Sequence, residues 1–166
     1  MAQKTPLLGN DSDGPIAVVR PLLIGLAILW VIELVDTFIL NNSLQSHGIH
    51  PRKISGLWGI LFSPFLHGGF GHLIANSGPF VVLGTLVRGR GKVRFLEATV
   101  VIMVVGGLGT WLTGGANSNH IGASGVIFGW FGYLLLAGWY ERSMVTLGTS
   151  AIVGVVIRRF RSDIRR

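Results

Sequence analysis

Residues Asn119–Leu136 read NHIGASGVIFGWFGYLLL. A single hydroxyl, Ser124, stands between glycines at the mouth of a long apolar run. The run is too apolar for a helix that shows one face to water. Two questions follow: what phase surrounds this segment, and what takes the proton of its serine.

Composition answers the first. The chain has 166 residues, room for one domain. It is 49% hydrophobic and 13% charged, with a mean hydropathy of +0.60. Soluble domains carry about 25% charged residues. The apolar residues lie in long runs, as transmembrane helices require. There is no cysteine, which excludes disulfides and thiolate metal sites. The net charge of +7 does not point to nucleic acid. Arg88, Arg90, Lys92 and Arg94 form one knot between apolar runs. Arg158, Arg159, Arg161, Arg165 and Arg166 form another, with Asp163 the only acid among them. Such knots set topology at a membrane surface, and no aromatic-interleaved basic face accompanies them.

Along the chain, residues 1–15 read as a flexible polar tail. Residues 16–157 read as the membrane domain and 158–166 as a basic tail. The first apolar run, about 16–40, is interrupted by Arg20-Pro21 and carries Glu33 and Asp36 near its far end. It lacks a clear cleavage site and reads as a retained helix. Glu33 and Asp36 are expected at an interface or facing the bundle, because charge in hydrocarbon is costly. Residues 41–70 are too broken to span. Trp58, Phe62, Phe65 and Phe70 suit a segment lying in the headgroup region. Further helices are expected over about 71–87, bent at Pro79, then 95–113 and 122–140. A last apolar stretch, 143–157, would make about five transmembrane helices in an all-α polytopic bundle.

Positive charge inside makes the 88–94 knot cytoplasmic. The N-terminus is then cytoplasmic, and 41–70 and the GGANSNH turn lie outside. His72 and Ser124 therefore open their helices at the same depth. One conflict remains. If 143–157 spans, five arginines land outside. Its 15 residues reach only about 22 Å, against a hydrocarbon core of about 30 Å.

Gly122-Ala123-Ser124-Gly125 is not a Gly-x-Ser-x-Gly elbow, because residue 126 is valine. As a helix start it offers free N–H groups to a developing oxyanion, and glycine lets a substrate come close. The competing reading is packing through Gly125-x-x-x-Gly129 and Gly132. His72 and Asn76, at i and i+4, share a helix face and can both donate to an oxyanion; interhelical polar glue is the alternative. His120 lies four residues before Ser124 and is a candidate general base, or a surface or capping residue. A His67/His72 metal site lacks further ligands in view. His47 and His50 read as surface residues.

Together, HGGFGHLIAN, the basic turn after it and HIGASGVIFG resemble the rhomboid family of intramembrane serine proteases over about Gly56–Tyr140. The resemblance implies that Ser124 is the nucleophile and that His72, Asn76 and the Ser124 N–H form an oxyanion hole. It also implies that Gly122 permits close substrate approach and that 41–70 is an outer loop partly in the membrane. Phe128 holds a position where some members carry a tyrosine stacked on the base histidine. The substrates would be transmembrane segments of membrane proteins in a lipid bilayer, with no cofactor and no nucleic acid.

The family's base histidine lies on a sixth helix, and this chain has no histidine after His120. An unassisted serine is a poor nucleophile, and loss of a triad member costs about 10⁴–10⁶ in rate. An open groove beside Ser124 is expected, or its occupation by another chain or lipid. Three accounts follow: a truncated member, a non-cutting protein that binds transmembrane helices, or a base supplied in trans or by His120. The orientation conflict favours truncation. A small multipass transporter subunit is a further alternative, weakened because Glu97 is the only acid in helices two to four.

Overall fold

The computed structural model describes residues 14–140. The described residues contain five helices: α1 (Pro15–Phe38), α2 (Gly59–Phe62), α3 (Phe70–Arg88), α4 (Lys92–Thr113) and α5 (Ser124–Tyr140). The only extended pairing among them is one bridge between Ile49 and His120. Three helices, α1, α3 and α4, are long and apolar enough to cross a membrane. The apolar α5 has 17 residues, about 26 Å. The expected all-α membrane helix bundle is observed; its last apolar stretch, 143–157, and both tails lie outside the described residues.

Glycines decide where the helices begin. Gly69, Gly91 and Gly122 have φ of +103°, +123° and +113°, a region that L side chains rarely adopt. Each ends the preceding turn just before a helix. The fourth run thus opens at Ser124 rather than at Gly122, and α4 takes in Lys92 and Arg94 from the basic knot. Pro21 and Pro79 lie inside α1 and α3, which run on through them.

The core is small and sits between α1, α3 and α5. Trp130 is its hub, at 1% exposure. Its ring lies 5.4 Å from Phe80 and 5.5 Å from Phe95, and its Nε1–H donates to Thr99 Oγ1 at 2.9 Å. Gly84 makes room for Leu22 and Trp130; a Cβ there would lie 2.5 Å from Leu22 Cδ1. On α5 the small-residue face divides. A Cβ on Gly129 would overlap Ile102 of α4, whereas Gly125 and Gly132 face open space. Close packing is thus the role of Gly129 alone among the three.

Four hydroxyls inside the apolar helices bond back to their own helix, whereas Thr37 and Thr85 have buried hydroxyls without a hydrogen-bond partner among the described residues. Thr99, Thr110 and Thr113 donate to the carbonyls of Phe95, Gly106 and Gly109, and Ser77 donates to Leu73 O. Hydrocarbon offers no other partner. Glu33 and Asp36 face the bundle at 1% and 2% exposure. Asp36 Oδ1 accepts the Leu44 N–H at 2.9 Å, tying α1 to the start of the outer segment.

The segment expected on the outer side, 41–69, is built from short turns and α2. Ile49 and His120 exchange backbone bonds of 2.9 and 3.0 Å. Asn119 Nδ2 donates to Gln45 O at 2.6 Å, and Arg52 N–H to Trp111 O at 3.0 Å. Arg52 Nη1 reaches Leu112 O at 3.0 Å, and Trp111 Nε1 reaches Lys53 O at 2.8 Å. The segment is fastened to the C-terminal end of α4 and to the turn before α5. Trp58, Leu61, Phe62 and Phe65 remain exposed and form an apolar rim.

Candidate active site

α3 and α5 begin at the same end of the bundle. His72 is the third residue of α3, and Asn76 follows one turn later on the same face. Ser124 is the first residue of α5. His72, Gly122 and Ser124 line one cavity of about 460 Å³, which Ile102, Gly106, Gly107 and Thr110 of α4 extend to one side. The two motifs, separate in sequence, meet in space at one end of the bundle.

Contact between them runs through Gly122. A Cβ there would lie 2.6 Å from His72 Cε1, 2.7 Å from His72 Nε2 and 3.6 Å from Asn76 Nδ2. Glycine is needed twice, for its φ and for the space its missing side chain leaves. The sequence suggests that this space admits a substrate; in the structure, the His72 ring occupies it.

Hydrogen bonds orient the donors. Gly68 N–H donates to His72 Nδ1 at 3.4 Å. Nδ1 is then the acceptor, which assigns the proton to Nε2, the nitrogen turned to Gly122. Asn76 is 7% exposed, and its Nδ2 is buried with no partner among the described residues. An orphan buried amide is costly unless something completes it. The Ser124 N–H opens a helix, where no carbonyl lies one turn ahead to receive it. Its hydroxyl makes no hydrogen bond among the described residues.

His120 also lines the cavity, but its Nε2 pairs with Ser118 Oγ at 2.8 Å and its backbone is held by Ile49. No hydrogen bond joins it to Ser124 among the described residues. Phe128 is 47% exposed on α5, away from the cavity lining. His47 and His50 line a second, outer cavity with Trp58 and Phe62. Among the described residues, no group of three or more His, Cys, Asp or Glu is placed to hold a metal ion.

Sequence reasoning undervalues His67. It is 1% exposed, its Nε2 accepts the Ala123 N–H at 3.4 Å, and its ring meets His72 edge-on at 5.2 Å and 67°. Burial, aided by neighbouring His72, pushes its pKa down to about 4; the nearby Phe65 carbonyl opposes this weakly. Two glycines between His67 and the start of α3 let the chain fold back over the helix end. That spacing is the available signal.

A helical membrane bundle with a serine at one helix start, faced by a histidine and an amide from another, belongs to a recognisable class. A Rhomboid domain matches residues 55–159, and the chain belongs to the rhomboid family. Two uncharacterised mycobacterial proteins are similar. One, from Mycobacterium tuberculosis H37Rv, is 43% identical over 136 residues, covering 79% of this chain and 55% of that protein. The other, from Mycobacterium leprae TN, is 42% identical over 122 residues, covering 70% and 48%. A Bacillus subtilis protein named as a candidate rhomboid protease, YdcA, is 38% identical over 93 residues, 55% of this chain and 47% of its own. The chain spans about half the length of these relatives. No solved structure matches it significantly.

Proposed function

We propose that this chain carries the nucleophile and oxyanion-hole part of a rhomboid-type intramembrane serine endopeptidase that cleaves transmembrane segments. Ser124 Oγ attacks the scissile carbonyl. His72 Nε2–H, Asn76 Nδ2–H and the Ser124 N–H receive the oxyanion. The observation that carries this reading is the buried, partnerless Asn76 amide, beside the His72 ring, at the start of the serine's helix. Preorganised donors of this kind are each worth about 10²–10³ in rate.

No described histidine bonds to Ser124 Oγ, and no histidine follows His120. On this reading the proton acceptor of Ser124 is not one of the described histidines. The protein is read as multi-pass in the cell membrane, with its N-terminus in the cytoplasm and residues 41–69 outside. The basic turn at 88–94 supports this orientation. The partners are membrane-protein substrates in the bilayer.

The test is fluorophosphonate labelling of folded protein in detergent. Labelling at Ser124 is expected, to be abolished by Ser124→Ala and slowed about 10²–10³-fold by Asn76→Ala. Absence of labelling in the folded chain overturns proteolysis by it. A second reading, favoured by the lack of any hydrogen bond to Ser124 Oγ among the described residues, is capture of transmembrane helices without cleavage. A transmembrane peptide retained equally by wild type and Ser124→Ala supports that reading.

A further inference from the structure

We propose that His67 is a positioning residue for the Ser124 centre: its imidazole sits between the His72 ring and the Gly122–Ser124 turn and holds one in register with the other. This inference rests on the reading of Ser124 as nucleophile.

The chain buries a polar ring at 1% exposure where an apolar side chain would pack without cost. One nitrogen, Nε2, takes the Ala123 N–H, and Nδ1 has no partner of ordinary geometry among the described residues. The Ala123 bond does not stand alone. Gly122 N–H donates to Ser63 O at 2.8 Å. Two successive N–H groups are thus held by the segment 63–67, which fixes the peptide planes that lead into Ser124. The third N–H of the series is that of Ser124, left at the helix start.

The same ring controls the other half of the centre. Its edge-on contact with His72 limits the rotation of that ring about χ2, and Gly68, the next residue, donates to His72 Nδ1. One side chain therefore sets both the turn carrying the nucleophile and the ring facing it. Displacing a donor by about 1 Å can cost about 10²-fold in rate. The acceptor role needs a neutral imidazole, and burial supplies one.

The full chain in detergent is compared as wild type, His67→Phe and His67→Gln. Phenylalanine keeps the ring and loses the acceptor. Glutamine places an amide oxygen near the position of Nε2. The labelling rate at Ser124 is resolved into a maximal rate and a half-saturating probe concentration. His67→Phe is expected to lower the maximal rate about 10–100-fold with half-saturation unchanged, and His67→Gln to recover most of it. Deuterium exchange at the Ala123 amide is read in parallel, with roughly fivefold faster exchange expected in His67→Phe alone. Wild-type labelling by His67→Phe overturns the proposal, as does His67→Gln labelling no faster than His67→Phe. If wild type does not label, proteolysis by this chain fails and the exchange arm decides alone. Equal Ala123 protection in all three folded proteins then overturns the proposal, and loss confined to His67→Phe supports it.

Discussion

α4 and α5 pack against each other and are both apolar, yet they put their side chains to opposite use. α4 has 22 residues and buries none of them. α5 has 17 and buries Val126, Ile127, Trp130, Leu134 and Gly138. On α4, Val100, Val101, Val105 and Leu112 point outward. In a bilayer an outward valine is already in its preferred phase, so apolarity does not select the core. What distinguishes α5 is one large aromatic, Trp130, with Gly129 beside it and Gly84 on α3 letting neighbours close in.

Trp130→Ala is the hardest test of that contrast. It empties the hub between Phe80 and Phe95 and leaves Thr99 without the indole donor. A loss of about 3–5 kcal/mol is expected, read from thermal or denaturant unfolding in detergent. Gly122→Ala comes next. Strain at φ +113° costs about 1–3 kcal/mol, and displacement of His72 should suppress Ser124 labelling in whatever protein remains folded. A loss of labelling without any loss of stability would show that the site tolerates strain the fold does not feel.

The pH dependence has a definite sign. In the unfolded chain His67 titrates near 6.5, and in the fold near 4. Between those values the unfolded state binds more protons, so stability falls as pH drops from 6.5 towards 4 and is fully present above 6.5. His72 is the titratable neighbour in contact with the ring and is common to both proteins compared. His67→Gln should flatten that limb of the melting-temperature profile; an unchanged limb would place the titration elsewhere. Val105→Ala closes the series, with an expected change within about 0.5 kcal/mol. A change as large as that of Trp130→Ala would abolish the contrast between the two helices.

Much of this was legible before any coordinates. Long apolar runs cut by glycine and charge locate α1, α3, α4 and α5 to within a few residues. His72-x-x-x-Asn76 and Gly122-x-Ser124-Gly125 are the residues that the cavity and the Gly122 contact bring together. Other features left no trace along the chain. The place of His67 is not visible along the chain, because its Nε2 meets the Ala123 N–H from 56 positions away. Among Gly125, Gly129 and Gly132, only the neighbouring helix decides which is a contact. The outer segment has no periodicity, so its docking on α4 could not be read from pattern.

That docking restricts how the cavity can be reached. Residues 45–53 are riveted to Trp111, Leu112, Asn119 and His120 by both backbone and side chain. Each such bond contributes about 0.5–1.5 kcal/mol, and swinging the segment upward as one piece would break them together. It behaves as a fixed roof, and on the proposed reading a polypeptide bound for Ser124 would come in under the eaves.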